Sequence, residues 1–206
     1  MASQSKGYNR NKKYLFPERN GHKFVYRPSR HFKKFENVLC VDPGLGGTGW
    51  AFFKTLLTKH KFKSNTQCPP DVFDVFKPYN KSENHQWIGK SYEIANYMFN
   101  VIAVLRVNWL IIEFPEVWGS SLRSQVSSQK GNLHKLSFLI GMICDAMRVQ
   151  GRERVPILVT PNEWKGQLSK EAVIRRIELR FPHLKDMVQD HEADAIGIGM
   201  AAQGIL

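Results

Sequence analysis

The chain has 206 residues, a formal net charge of +12 at pH 7 and 42% hydrophobic residues, which suits one domain with a substantial core plus an arm. The basic balance points to a polyanionic partner, nucleic acid ahead of an anionic membrane. Three widely spaced cysteines, Cys40, Cys68 and Cys144, argue against a disulfide scaffold or a zinc cluster. No apolar signal segment is visible, and the apolar run 101–112 is broken by Arg106 and Asn108 before it reaches the length of a membrane span, so a cytoplasmic protein is expected.

Residues 1–36 are expected to form a basic aromatic arm, partly flexible. They hold ten Lys and Arg against Glu18 and Glu36, so +8 of the net charge lies here. Tyr8, Tyr14, Phe16, Phe24, Tyr26 and Phe32 are interleaved with the cations. Cations such as Lys33 and Lys34 can neutralise phosphates while rings stack on exposed bases. A solubilising tail has the same composition, above all over 1–20.

The main domain is expected over 37–206. Apolar runs at 37–42 and 49–57, joined by a glycine-rich loop, read as two antiparallel strands. A polar connection over 58–81 carries a short strand at 72–76. Apolar spacing predicts a helix over 82–106, a buried strand over 108–113, a helix over 133–149 and a strand over 155–160. Helices over 169–181, capped by Ser169, and over 191–204 complete the chain. The pattern is α/β, with a mixed central sheet flanked by helices.

Three carboxylates end separate elements. Asp42 closes the run Asn37-Val38-Leu39-Cys40-Val41-Asp42, Glu113 closes Trp109-Leu110-Ile111-Ile112, and Asp194 sits in Asp190-His191-Glu192-Ala193-Asp194. Strand ends of an open α/β sheet share a rim where ligands bind. Carboxylates are natural ligands for Mg²⁺ or Mn²⁺, and two such ions roughly 3.5–4 Å apart clamp the attacking and leaving oxygens of a phosphoryl displacement. Without a cation the acids would repel each other. His191, three residues before Asp194, shares its helical face, either as a ligand or as a base that orients water. Asp190 competes for the metal role but also suits the helix N-cap; Glu192 is expected to face solvent.

The loop Gly44-Leu45-Gly46-Gly47-Thr48-Gly49 is open to two readings, a phosphate cradle of backbone N–H groups or a turn that needs positive φ. Trp118, in a polar Gly/Ser-rich loop, could stack on a base or fold back on the core. Arg123, Lys130 and Lys135 are candidate phosphate contacts. Lys165 and Lys170 flank a Gly bend before a helix N-terminus and could hold phosphate there; an ordinary connection with Trp164 packed is the alternative.

Taken in order, these motifs resemble the RuvC-like branch of the RNase H-like superfamily, the Holliday-junction resolvases. Asp42-Pro43-Gly44 with Thr48-Gly49-Trp50-Ala51 resembles the first catalytic strand and turn of that family, Ile111-Ile112-Glu113 its second acidic strand, and His191-Glu192-Ala193-Asp194-Ala195 its closing helix. The stretch Thr160 to Lys170 is similar to the segment with the family's lysines. The resemblance spans 37–204 and implies an RNase H-like nuclease domain. It also implies a homodimeric endonuclease, dependent on two Mg²⁺ (or Mn²⁺), that nicks branched DNA and leaves 5′-phosphates. Asp42, Glu113, His191 and Asp194 would be its catalytic and metal residues. The arm and the 58–81 connection depart from the family pattern, which bears on substrate choice more than on chemistry; such arms suit a phage- or plasmid-type enzyme. A nuclease for flaps or RNA–DNA hybrids, and a non-catalytic branched-DNA-binding module, are the alternatives. An actin-like nucleotide-binding domain would need a second lobe that 206 residues do not supply.

Overall fold

Strand alternation sorts the apolar residues of this chain onto two faces of one sheet, and that sorting places the site. The computed structural model describes residues 17–20, 23–26, 34–57, 68–79, 86–115, 131–151 and 156–206. Two short strands from the basic arm, β1 (Pro17–Asn20) and β2 (Lys23–Tyr26), pair antiparallel as a separate sheet. The main sheet contains β3 (Lys34–Asp42), β4 (Thr48–Leu57), β5 (Val72–Phe76), β6 (Trp109–Glu113) and β7 (Ile157–Val159). Its order is β5-β4-β3-β6-β7. The first three strands pair antiparallel, while β6 runs parallel to β3 and β7 parallel to β6, so the sheet is mixed, as expected.

Helices cover both faces. Helices α1 (Trp87–Val104) and α2 (Asn132–Val149) pack on one side, where Leu39, Val41, Trp50, Phe52, Leu110 and Ile112 meet Ile94, Met98, Ile102, Leu139 and Ile143. The short α3 (Pro161–Trp164), α4 (Lys170–Arg180) and α5 (Asp190–Gln203) lie on the other. There Val38, Cys40, Ala51, Phe53, Ile111 and Val159 meet Trp164, Val173, Ile177, Ala193 and Ile196. No helix among the described residues is long and apolar enough to cross a membrane.

Helix α5 is buried continuously from Glu192 to Met200, because small residues let neighbours close on it. A Cβ on Gly199 would lie 2.3 Å from the Phe53 ring, and one on Gly197 would lie 2.6 Å from Trp164 Cζ3. This enclosure corrects the expectation for Glu192, which is 9% exposed rather than solvent-facing. It also moves the cap: Gln189 holds the N-cap position without a side-chain cap, and Asp190 is the first helical residue. Two boundaries differ in an informative way, and a third agrees. Strand β3 starts at Lys34, inside the expected arm, because its pairing with β4 runs on to Lys34–Leu57. The 160–170 connection folds into α3, since Thr160 and Glu163 form a reciprocal capping box around Pro161. The N-cap expected at Ser169 is present, its hydroxyl accepting from Ala172 N–H at 3.3 Å.

Candidate active site

Register and alternation together carry Asp42 and Glu113 to one place. Val41 pairs with Ile112 in the parallel β3–β6 ladder, so Asp42 and Glu113 are the next residues on adjacent strands. Each lies two residues beyond a side chain of the α5-facing core, Cys40 and Ile111, and therefore points to that face. Helix α5 crosses the same face, packed on β3 and β4. Its first turns bring His191 and Asp194 to the strand ends. Asp42 and Asp194 are 8% and 6% exposed, so each carboxylate has lost most of its hydration.

His191 and Asp42 make the most direct contact, 2.9 Å from Nδ1 to Oδ2. With its proton on Nδ1 the ring donates to the carboxylate, which leaves Nε2 as the free ring nitrogen. That bond raises the His191 pKa against the opposing effect of burial. Lys165 Nζ lies 3.5 Å from Asp194 Oδ1, and Lys170 Nζ lies 3.2 Å from Asp190 Oδ2. Trp164 donates its indole N–H to Glu113 Oε2 at 2.6 Å. Burial first, then the Asp42 charge, pushes Glu113 up to about 7, while the Trp164 bond and Lys165 oppose the shift. Burial likewise raises Asp194, offset by Lys165 and reinforced by Asp42.

The positive-φ reading of the glycine loop does not match its geometry. Gly44, Gly46, Gly47 and Gly49 are absent from the positive-φ positions. The N–H groups of Gly44 and Gly47 are used inside the loop: Gly47 donates to Gly44 O at 3.3 Å, Gly44 to Thr48 Oγ1 at 3.3 Å, and the Thr48 hydroxyl to Gly44 O at 3.0 Å. These glycines make room for the helix. A Cβ on Gly49 would lie 2.1 Å from the His191 carbonyl oxygen, and one on Gly47 would lie 3.4 Å from His191 Cδ2. The loop is a seat for His191.

The structure thus groups Asp42, Glu113, His191, Asp194 and Lys165, with Lys170 and Asp190 at the edge. Lys165 and Lys170 face carboxylates, where the sequence suggested phosphate. Lys135 stands in the first turn of α2, on the opposite layer. Trp118, Arg123, Lys130 and Lys33 lie outside the described residues, and so does the side chain of Lys34. Sequence reasoning assigned Trp164 only a packing role; the fold buries it and also sets its indole N–H against Glu113, 51 residues away, a contact with no local signal.

Among the described residues, no group of three or more His, Cys, Asp or Glu stands in position to hold a metal ion. The donor chemistry nevertheless fits a hard divalent cation. Three oxygen donors stand on separate elements, the Asp42 charge helps to push Glu113 and Asp194 toward the protonated form, and a cation relieves that repulsion.

No protein-family model matches the chain, and no curated protein does. Solved structures do. The Thermus thermophilus RuvC structure aligns at 18% identity over 80% of this chain and 91% of its own, with a TM-score of 0.55. T. thermophilus RuvC in complex with a Holliday junction substrate aligns at 16% identity, 81% and 92% coverage and a TM-score of 0.55. The yeast mitochondrial Holliday junction resolvase Ydc2 aligns at 14% identity, 82% and 79% coverage and a TM-score of 0.52. At these identities the likeness shows a shared fold, the mixed α/β fold of the RuvC and Ydc2 structures.

The raised groups set the sign of a pH effect. Glu113, Asp194 and His191 each hold a proton more tightly folded than unfolded. Their contribution to stability is therefore full at low pH and lost as pH rises, for Glu113 between 4.5 and about 7. For Glu113 the loss is at most on the order of 3 kcal/mol, at about 1.36 kcal/mol per pH unit. In EDTA, the thermal midpoint should fall between pH 5 and pH 8. Mg²⁺ should restore it at pH 8 and do little at pH 5. Equal Mg²⁺ effects at both pH values would count against a carboxylate cation site.

Proposed function

We propose that this chain is a metal-dependent, structure-selective endodeoxyribonuclease that resolves Holliday junctions or other branched DNA and leaves 5′-phosphates. The observation that carries this reading is the convergence of Asp42, Glu113, His191 and Asp194 at the rim where β3 and β6 end beneath α5. A buried acidic cluster in a chain of net charge +12 suits cations at the rim and a polyanion over it. The two RuvC structures and Ydc2 share this fold; one of them is a complex with a Holliday junction substrate, which supports branched DNA as the substrate class.

Asp42, Glu113 and Asp194, with His191 Nε2, would hold Mg²⁺ or Mn²⁺, which when bound would supply charge for the phosphate and acidify water. The protein's own groups do the positioning. With the proton on Nδ1 held by Asp42, His191 Nε2 would be the ring's acceptor, for a metal or for an attacking water. Lys165 places positive charge beside Asp194, where a phosphate oxygen can share it. A 5′-phosphate product requires cleavage of the P–O3′ bond. Two copies of the site, as a homodimer, would give paired nicks on a four-way junction. The groove between α1 and α2, lined by the exposed Tyr92, Phe99, Phe138 and Val149, is the surface proposed for that pairing. We propose residues 1–36 as a DNA-binding arm ahead of the nuclease domain.

The first test is a labelled four-way junction beside duplex, flap and RNA–DNA hybrid, with Mg²⁺ or EDTA. Paired Mg²⁺-dependent nicks on opposite strands are expected. Cleavage of flaps or hybrids alone would overturn the substrate, and tight junction binding without any cleavage would favour a non-catalytic module. In the same assay Asp42→Asn should lower cleavage by about a thousandfold or more, the scale of losing a group that acts on the transition state, with junction affinity nearly unchanged. Loss of binding by a folded Asp42→Asn protein would sink the assignment.

Deleting residues 1–30 should weaken DNA binding and flatten its salt dependence, by about 0.9 in the log–log slope for each phosphate that the arm neutralises. An unchanged slope would make the arm a tail. Sedimentation of the full chain should show a dimer that Phe138→Glu converts to monomer; a monomeric wild type at micromolar concentration would exclude this pairing.

A further inference from the structure

Trp164 touches the acidic cluster at more than one point. The residue is 4% exposed, in the last turn of α3, where the Thr160–Glu163 capping box fixes the backbone. Its indole N–H donates to Glu113 Oε2 at 2.6 Å. Its ring face lies under the Lys165 ammonium, 4.7 Å from ring centroid to Nζ, and that ammonium pairs with Asp194. The far edge of the ring rests on α5 at Gly197, where a Cβ would come within 2.6 Å of Cζ3 and 3.2 Å of Cη2. Gly197 lies three residues beyond Asp194, almost one helical turn.

A buried indole N–H needs an acceptor; here that acceptor is Glu113, and the same ring carries Lys165, so the residue that fills the core also acts on the cluster. An indole N–H has a single proton and no acceptor, so it can occupy one lone pair of Glu113 Oε2 and leaves Oε1 for another partner. Side chains that hold a ligating carboxylate in this way orient it and tune its donor strength. The cation–π contact keeps the Lys165 ammonium above the ring, within reach of Asp194.

We infer that Trp164 is the positioning residue of the cluster, holding Glu113 through its N–H and Lys165 through its ring so that the carboxylates of β6 and α5 present a fixed pair of oxygens to a divalent cation. The inference rests on the metal-site reading proposed above.

The test is Mn²⁺ binding to the full chain without DNA, followed by the electron paramagnetic resonance signal of free Mn²⁺. Trp164→Phe keeps a ring against Gly197 and removes the N–H. It should weaken Mn²⁺ binding by about tenfold or more, the scale of losing a partner of a metal ligand, with its thermal midpoint close to wild type. A structural role alone would lower the midpoint and leave affinity in the surviving folded protein unchanged. In the Glu113→Gln background, Trp164→Phe should produce no further loss of affinity, since the two act as one unit. Wild-type affinity in Trp164→Phe, or equal losses in both backgrounds, overturns the positioning role alone. Absence of Mn²⁺ binding by the wild type overturns the metal-site reading and this inference with it. Should Trp164→Phe fail to fold, the indole ¹⁵N–¹H spectrum decides. Of the five tryptophans, one cross-peak should move between wild type and Glu113→Gln, because a charged acceptor has been exchanged for a neutral one. No movement overturns the proposal.

Discussion

Confining like charges at the rim of a sheet is costly, and much of this structure manages that cost. Asp42 and Glu113 end adjacent parallel strands on one face, and Asp194 is brought against them by a helix that is buried on all sides. Burial and the Asp42 charge push Glu113 and Asp194 toward the protonated form. The Lys165 pair with Asp194 and the Trp164 bond to Glu113 oppose that push, and His191 bonds Asp42 beside them. Each is a single donor facing a carboxylate, so the cluster keeps spare lone pairs.

Glycine makes this arrangement sterically feasible, through close approach. Gly49 lets the backbone of His191 lie over β4, Gly197 receives the Trp164 ring, and Gly199 receives Phe53. Along α5 these contacts set both the depth and the rotation of the helix. A side chain at Gly49 would meet the His191 carbonyl and drive the first turn of α5 away from Asp42. Helical propensity, which disfavours glycine by about 1 kcal/mol per residue, is therefore overruled by packing twice within one helix.

The charge distribution opposes the site in sign. Most of the net positive charge, +8 of +12, lies in residues 1–36, while Asp42 and Glu113 stand at the strand ends. A phosphate backbone would be attracted by the first and repelled by the second, so the rim can act on a polyanion only if cations intervene. Lys165 and Lys170 supply part of that neutralisation from within the protein, and the proposed Mg²⁺ would supply the remainder.

The features legible in the chain alone are local and periodic. The runs before Asp42 and Glu113 are strands because they are continuous, short and apolar, and the chain order of strands and helices implied a mixed α/β sheet. Ser169 was legible as a cap because its partner is three residues away. The carboxylate rim was legible too, since acids at the ends of apolar strands share an edge in such a sheet. Long-range geometry had to await the folded arrangement. Glu192 is buried because α5 is enclosed by partners far away in sequence. Lys34 joins β3 because Leu57 extends the ladder, and the glycine loop seats His191 because a helix from the far end of the chain lies over it. Trp164 reads as one more buried aromatic until the fold sets its N–H against Glu113. Hydrophobic period reports which face of an element is covered; which atom meets which across that face depends on the packing of elements that no local window contains.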